Sequence, residues 1–335
     1  MITASARRTA RLSLVAVVLS ALALTAGCTT NDTLAPTGGG GERVSTADGA
    51  AVVVDAPATT SSSAVYLAAR DGTFTKAGIE VRAHTHTSAD SPLVGLVGNA
   101  YPIVWTNAAD LLLAVQRKLP VTVVALSDLG QPGQLSVLVT AGSPARSLAD
   151  LAGKKLGIPG TTSSCAITIP AQLRSANLDP KSVTLVPVAL PDQGSALARG
   201  IVDATCLPEP FLSIVRTATP TRTIADQFTE SLTGTLVGVY ATTTAYANAH
   251  PEVIAAFRTA ITEQDTALNR DPGALRRAVP SFTQITPALA AGISLPSFAT
   301  DVTDPRPLQQ LATLMRQAGL LDLAELPSGL IEARN

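Results

Sequence analysis

A short sequence recurs in this chain after an interval of 102 residues. Residues 59–64 read TTSSSA and residues 161–166 read TTSSCA, and Pro57 and Pro159 share the same offset. The recurrence predicts two copies of one unit, in which a strand leads through a Thr/Ser-rich turn into a helix. Ligands of open α/β sheets bind at the carboxyl ends of the strands, so two such units facing each other would form a cleft. The alternative is chance, because Thr, Ser and Ala are abundant.

The pattern that follows the leader predicts the α/β class. Val52–Val54 is a short β-branched run that ends at a turn, and a helix is expected from Ala64 to Arg70. The segment from Phe74 to Val81 then leads into a second strand. A strand, a helix and a strand in this order form a βαβ unit, which implies parallel pairing.

The first 27 residues predict an export signal. Three arginines precede an apolar run from Leu12 to Ala26, and this run is shorter than the ~20 residues of a membrane-spanning helix. The ending Leu-Thr-Ala-Gly-Cys resembles a bacterial lipoprotein processing site with Cys28 as the lipidated residue, although Thr25 stands where the motif usually has Leu. Cleavage by an ordinary signal peptidase just before Cys28 is the alternative. Residues 28–50 are rich in Thr, Gly and Asp and predict a flexible tether.

Charge and composition exclude several classes of function. Without the three leader arginines, 21 basic residues face 25 acidic ones, so the net charge is −4, which argues against a nucleic-acid partner. The chain has three histidines and no Gly-x-Ser-x-Gly motif, so an enzyme is not expected. His84 and His86 share one strand face but lack an acidic third ligand, so we expect no metal and no cofactor.

Two cysteines remain once Cys28 is assigned to lipid. Cys165 is expected in the first turn of a helix and Cys206 near the end of a strand. If the two strands concerned are neighbours, the thiols could form a disulfide in an exported protein. Two separate buried thiols are the alternative. Cys165 could also act as a nucleophile at a helix start, but it has no evident base.

Three stretches together resemble the substrate-binding proteins of the nitrate/sulfonate/taurine group of ABC importers, which includes binders of pyrimidine precursors. These stretches are YLAARDGTFTKAGIEV, SLADLAGKKLGIPG and LARGIVDATCLPEPF. One departure is Gly98-x-x-Tyr101, where the family has Gly-x-x-Asp. The resemblance implies a two-lobed, type II periplasmic-binding-protein-like fold, with a mostly parallel sheet flanked by helices in each lobe. Lobe I would comprise residues 51–139 and 241–335, and lobe II residues 140–240.

The predicted ligand contacts follow strands in both lobes. In lobe I they are Thr60, Ser61, Ser62, Trp105, Thr106 and Asn107, and in lobe II they are Thr161, Thr162, Ser163, Ser164, Asp192 and Glu209. The turns precede helices, whose N-termini bind anions through backbone N–H groups. The same hydroxyls could instead cap their own helices.

The sequence leaves two interpretations open for Glu209 and two for Trp105. Glu209 could accept a hydrogen bond from an amine or ring N–H of a ligand, or pair with an arginine. Trp105 could stack on an organic ligand or belong to the core.

The resulting hypothesis is a monomeric, lipid-anchored receptor on the extracytoplasmic face of the cell membrane. It would deliver a small sulfonate- or pyrimidine-like ligand to an ABC permease by hinge closure. Two alternatives stay open: an exported enzyme on the same fold that acts on a pyrimidine-like compound, and a ligand sensor for a membrane kinase.

Overall fold

The structure is a computed structural model that describes residues 51–87, 90–229 and 232–331. The predicted export signal, the tether and Cys28 lie outside the described residues. The strands are β1 (Val52–Pro57), β2 (Val81–His86), β3 (Ile103–Asn107), β4 (Val121–Leu126), β5 (Asp128–Leu129), β6 (Leu135–Thr140), β7 (Lys155–Ile158), β8 (Thr184–Pro187), β9 (Ala204–Pro208), β10 (Thr221–Asp226), β11 (Gly238–Thr243) and β12 (Ser297–Phe298). The helices are α1 (Ser63–Arg70), α2 (Thr73–Lys76), α3 (Pro92–Val97), α4 (Ala108–Gln116), α5 (Ser164–Ser175), α6 (Gln193–Ala198), α7 (Phe211–Ala218), α8 (Thr244–Ala249), α9 (Pro251–Arg270), α10 (Pro272–Ala278), α11 (Pro287–Ala290) and α12 (Arg306–Gln317).

The two large sheets have the same arrangement of strands. The first has the order β2-β1-β3-β11-β4 and the second β8-β7-β9-β6-β10. In each order, the first three strands are parallel to one another. The fourth strand, β11 or β6, is antiparallel to both of its neighbours. The recurring Thr/Ser turns follow equivalent strands. One turn connects β1 to α1, the other connects β7 to α5, and β1 and β7 are each second in their sheet order. The predicted α/β class with mostly parallel sheets is confirmed.

Two connections join the sheets within the described part of the chain, one from Ser127 to Gln134 and one from Gln227 to Val237. They pair with each other: the Gly130 N–H donates to the Thr235 carbonyl at 2.9 Å, and the Val237 N–H to the Asp128 carbonyl at 2.9 Å. The predicted lobe boundaries fall near these connections, and β6 pairs within the second sheet while β11 pairs within the first.

The C-terminal helices cover the first sheet. Apolar residues of α9 recur at helical spacing, and Ile254, Phe257 and Ile261 are buried. Phe257 stacks on Phe74 with ring centroids 5.1 Å apart. Among the described helices, none is both long enough and apolar enough to cross a membrane.

Candidate functional site

A small cavity of about 80 Å³ lies where the carboxyl ends of strands from both sheets meet. The first sheet and its turn, the second sheet with α5, and the connections all contribute to its wall. The lining residues are Pro57, Thr59, Ser61, Trp105, Asn107, Gln134, Leu135, Pro159, Ser163, Ser164, Cys165, Leu190, Pro208, Phe228 and Val237. None of these described lining residues is Asp, Glu, Lys, Arg or His. We call this space the cleft cavity.

Hydrogen bonds cross the cleft from each recurring turn to the end of a strand in the other sheet. The Ser164 hydroxyl, at the start of α5, donates to Asn107 Oδ1 at 2.9 Å. The Thr60 N–H and hydroxyl both lie within hydrogen-bonding distance of the Glu209 carbonyl, at 3.3 and 3.4 Å. The turn after β1 therefore meets the end of β9, and the turn after β7 meets the end of β3.

Three helices begin at the cleft cavity without a side-chain cap: α1 after Ser62, α4 after Asn107 and α5 after Ser163. The Ser62 hydroxyl donates to the Pro57 carbonyl, and the Ser163 hydroxyl donates to the Gly160 carbonyl at 2.7 Å. Neither serine hydroxyl accepts a hydrogen bond from its own helix. The capping interpretation of these two serines is therefore not what the structure shows.

Among the other described helices, four have a side-chain cap at their N-cap residue, while α2, α6, α9 and α12 have none there. The residues that accept a hydrogen bond from the first turn of their own helix are Ser91, Thr243, Asp271 and Thr286. Uncapped N–H groups and the positive end of the helix dipole together form an anion-binding surface. Three of the helix starts that lack a side-chain cap lie together at the cleft cavity.

Trp105 is both a core residue and part of the cavity wall. Its indole N–H donates to the Ser127 hydroxyl at 3.0 Å, and only 5% of the residue is exposed. The ring lies against Gly238, where a Cβ atom would come within 2.2 Å of it. Glycine is therefore needed at position 238 for the ring to occupy this place.

Seven of the twelve predicted ligand contacts do not line the cleft cavity. Thr60 and Ser62 are buried beside it, and the Thr106 hydroxyl donates to Asp110 at 3.1 Å. Thr161 and Asp192 are exposed and Thr162 is half-buried.

Glu209, the seventh, directs its carboxylate to Ser213 in the first turn of α7. Its carboxylate accepts hydrogen bonds from the Ser213 N–H at 3.1 Å and the Ser213 hydroxyl at 2.8 Å, and so caps α7. Burial raises the pKa of Glu209, and the bonds from Ser213 act in the opposite direction. Ser61, Trp105, Asn107, Ser163 and Ser164 are the predicted contacts that the structure does bring together.

A disulfide joins Cys165 to Cys206. It links the first turn of α5 to β9, and both residues are fully buried. Cys165 lines the cleft cavity as a half-cystine, so it has no thiol with which to attack a ligand.

The sequence prediction missed a buried polar network behind the cavity wall. Gln134 donates through Nε2 to the Ser61 hydroxyl at 3.0 Å and to Asp128 Oδ2 at 3.2 Å. The Ser127 hydroxyl donates to the Ser61 carbonyl at 3.0 Å. Burial raises the pKa of Asp128 to about 7, although hydrogen bonds from Ser61 and Gln134 lower it. The signal that could have found these residues is the polar run from Ser127 to Gln134, placed between two apolar strands.

A larger groove of about 620 Å³ adjoins the cleft cavity. Ser164, Phe228 and Val237 line both spaces. The far wall of the groove is formed by apolar side chains of α12, among them Leu311 and Leu314. The groove thus continues the cavity toward the surface.

His84 and His86 are both hydrogen-bonded to Asp55. The Nδ1 atom of His84 lies 2.8 Å from Oδ1, and the Nδ1 atom of His86 lies 2.8 Å from Oδ2. Their Nδ1 atoms are therefore engaged by one buried carboxylate. Within the ranges that the structure describes, no group of three or more His, Cys, Asp or Glu residues could hold a metal ion.

The architecture of two paired sheets with a cavity between them is that of the periplasmic binding proteins. The alkanesulfonate-binding protein SsuA from Xanthomonas axonopodis pv. citri, bound to MOPS, superposes with a TM-score of 0.70 at 19% identity, over 84% of this chain and 97% of SsuA. The nitrate-binding protein NrtA from Synechocystis PCC 6803 superposes with a TM-score of 0.65 at 11% identity, over 82% of this chain and 83% of NrtA. DszB in complex with biphenyl-2-sulfinic acid gives a TM-score of 0.57 at 16% identity, over 84% of this chain and 97% of DszB.

Residues 59–273 match the NMT1/THI5-like family model, and the chain belongs to that family. No curated protein sequence matches the chain at a significant level. The family and the fold that the three sequence stretches predicted are both confirmed.

Proposed function

We propose that this protein is an extracytoplasmic solute-binding protein that delivers a small organic anion to an ABC importer. The observation that carries the proposal is the meeting of three uncapped helix starts at a cavity whose described lining residues include no charged side chain. Backbone N–H groups and helix dipoles stabilise an anion there without a basic residue. Of the two predicted ligand classes, the sulfonate-like one fits these donors better than the pyrimidine-like one.

The groove supports an organic solute over a bare inorganic anion. Sites for small organic molecules typically have about 300–1,000 Å³, and the cleft cavity has only about 80 Å³. It is large enough for a head group, while the adjoining groove of about 620 Å³ offers apolar side chains to the rest of a ligand. SsuA, whose name describes an alkanesulfonate binder, and DszB, with a biphenyl sulfinate, are similar in fold.

The paired connections between the sheets support hinge closure as the mechanism. Motion about the segments Ser127–Gln134 and Gln227–Val237 would separate the two lobes and open the cleft cavity. A ligand that contacts Asn107 on one side and the start of α5 on the other binds the closed form more tightly than the open one. That difference in affinity is what would drive closure.

Binding without catalysis is the function that the site supports. The nucleophile suggested by the sequence, Cys165, is held in a disulfide with Cys206. The disulfide also fits an oxidising, extracytoplasmic location. The proposal includes lipid attachment at Cys28, an ABC permease as the partner and a monomeric state.

A thermal-shift panel of the purified mature protein tests this function. The panel contains alkanesulfonates, taurine, nitrate and pyrimidines, and a ligand at 100 times its Kd adds about 2.7 kcal/mol of stability. Asn107→Ala removes a side-chain contact across the cleft, so we expect at least a tenfold weaker affinity for any ligand found. Asn248→Ala, on the exposed face of α8, is the matched control and should bind normally. Equal binding by both variants, or no shift with any compound, would contradict the proposal.

A further inference from the structure

His86 lies between two hydrogen-bond acceptors at the end of β2. Its Nδ1 atom is 2.8 Å from Oδ2 of Asp55, and its Nε2 atom is 3.0 Å from the backbone carbonyl oxygen of Asp90. A neutral imidazole has one N–H donor and one unprotonated nitrogen, which can only accept. Both contacts are hydrogen bonds only if both nitrogens of His86 carry a proton, so the geometry requires an imidazolium cation.

The negative charge that balances this cation is the carboxylate of Asp55. Asp55 is buried, and imidazole is a stronger base than a carboxylate, so the proton between the two groups belongs to His86. His84 contacts the other oxygen of Asp55 and differs from His86 in its second contact. Its Nε2 atom lies 3.4 Å from the hydroxyl of Tyr101, which can donate to it. The hydrogen bonds therefore require two protons on His86 and only one on His84.

The ionisable groups around this cluster come from several elements. They are Asp55 of β1, Tyr66 of α1, Arg82 and His84 of β2, Asp90 after β2, and Tyr101 before β3. Burial lowers the pKa of His86, but the hydrogen bond and the charge of Asp55 outweigh this effect and raise the pKa above its ordinary value. The surroundings thus support the charge that the two acceptors require.

His86 also forms part of a second space between the two lobes. This space of about 290 Å³, which we call the interlobe pocket, is lined from lobe I by residues 85–87 and from lobe II by Leu190 and Phe211, among others. Pro57 and Leu190 line both the interlobe pocket and the cleft cavity. Apart from His86, none of its described lining residues is ionisable. A shift of residues 85–87 would therefore change the surface that lobe I presents to lobe II beside the cleft cavity.

We infer that His86 is a positioning residue for the cleft, and that its second proton holds the end of β2 and the segment after it in place against lobe II. When the ring loses one proton, an unprotonated nitrogen faces an oxygen atom. One of the two contacts then becomes repulsive and separates, and the lobe I wall of the interlobe pocket loosens. The effect on ligand binding rests on the proposed function, whereas the charge of His86 does not.

Nitrogen NMR of the mature protein, purified without a histidine tag, measures the two protons directly. The chain has three histidines, so their ring signals can be assigned with His84→Gln, His86→Gln and His250→Gln. At about pH 7.5, where an ordinary histidine is about nine-tenths neutral, we expect both ring nitrogens of His86 to carry a proton. An unprotonated nitrogen in His86 at this pH would overturn the inference. If His86→Gln does not fold, the other two variants assign its signals by elimination.

Thermal unfolding as a function of pH separates the proton from a merely structural role. Because the pKa of His86 is raised in the folded state, its stabilising effect is complete below about pH 6.5 and is lost as the pH rises through the folded value. The Tm advantage of the wild type over His86→Gln should therefore shrink by at least about 1 °C between about pH 6 and about pH 9. Asp265 is present in both proteins, so its own pH dependence cancels. The matched control, His250→Gln, should show no such decrease. An advantage over His86→Gln that stays constant would overturn the inference.

The ligand arm uses butanesulfonate as the probe. Calorimetric titrations at about pH 6 and about pH 9 should show at least a threefold loss of affinity, as an order of magnitude, for the wild type and for His250→Gln. His86→Gln lacks the proton at both pH values and should bind with one weaker affinity. A wild-type affinity that does not change, or an equal loss in His86→Gln, would overturn the role of His86 in the cleft. If butanesulfonate binds to none of these proteins, the proposed function is contradicted, and the NMR and unfolding measurements alone decide the role of His86.

Discussion

Asp265 is buried in α9, and neither of its carboxylate oxygens has a hydrogen-bond partner among the described residues. Burial and the neighbouring Asp128 raise the pKa of Asp265 well above its ordinary value. The folded protein therefore holds a proton that the unfolded chain releases near about pH 4. Since the folded state binds more protons, the contribution of this residue to stability decreases as the pH rises above that value.

Replacing Asp265 by Asn should stabilise the protein in mild alkali. Asn has the same shape and does not ionise, so the variant avoids the growing cost of keeping a buried carboxyl group protonated. We expect a gain of at least about 1 kcal/mol at about pH 8, or a Tm higher by about 2 °C or more. The gain should shrink toward about pH 4. Thermal unfolding at both pH values measures it, and a lower Tm for the variant at the higher pH would show this account of Asp265 to be mistaken.

Single residues of the site were only partly predictable. Ser61, Ser163 and Ser164 were predicted because the recurring turns mark strand ends in the sequence itself. Gln134 and Asp128 were missed because the polar run from Ser127 to Gln134 does not show that Gln134 contacts Ser61, which lies far away in the sequence. Glu209 follows the expected strand, but its contact with Ser213 depends on how α7 begins.

At the scale of elements, the starts of α1, α4 and α5 come together at the cleft. Each of these helices lacks a side-chain cap, while Thr286 caps α11 by accepting a hydrogen bond from the Leu289 N–H at 3.3 Å. A missing cap typically costs about 1 kcal/mol of stability. At the cleft, the missing caps leave the first turns of α1 and α5 without a side-chain acceptor, while the first N–H of α4, that of Ala108, donates to the Val237 carbonyl at 2.9 Å.

An acidic side chain at the start of α5 should supply the cap and remove the anion site. In Ser163→Asp, the carboxylate would accept from the first turn of the helix and occupy the place of the ligand head group. We expect an unchanged or higher Tm and a loss of anion binding of at least about 100-fold, since a second negative charge is desolvated there. Calorimetric titration with butanesulfonate measures the loss.

Thr286→Asp is the matched control, because it places the same carboxylate at the start of a helix that has no part in the cleft. It should bind as the wild type does. Retained affinity in Ser163→Asp would exclude the start of α5 from the ligand site.

Most helices and strands could be predicted from the local pattern of apolar and polar residues, but the residues at which they begin and end could not. The run Val121–Leu126 predicts a strand by its composition alone, and β4 has the same bounds, because every residue in it is buried and apolar or β-branched. The run from Val202 to Leu207 favours a strand over those residues, but β9 begins at Ala204 and ends at Pro208. Its start depends on pairing with β7, which the sequence of β9 alone does not show.

At the scale of the whole molecule, the two sheets repeat one topology, and the cleft cavity lies where their strand ends meet. The repeat was predictable from the 102-residue interval, because the turn sequences were retained in both copies. The pairing of the two connections was not predictable, since their contacts join Asp128 to Val237 across more than a hundred residues.

The proposed lipid anchor concerns the part of the chain that precedes the described residues. In bacteria that process lipoproteins, the wild-type protein should partition into the detergent phase on separation with Triton X-114. Cys28→Ser should move it to the aqueous phase, because the chain would carry no acyl groups. An identical distribution of the two proteins would exclude lipidation at Cys28.

The central claim is that the cleft binds an anion through helix starts and not through charged side chains. Calorimetric titration with butanesulfonate and with butylammonium tests it directly, because the two probes share an alkyl chain and differ in the sign of the head group. The account predicts one site for butanesulfonate, with a Kd on the order of micromolar, and no measurable binding of butylammonium. Binding of butylammonium, or of a neutral pyrimidine while butanesulfonate is ignored, would contradict it.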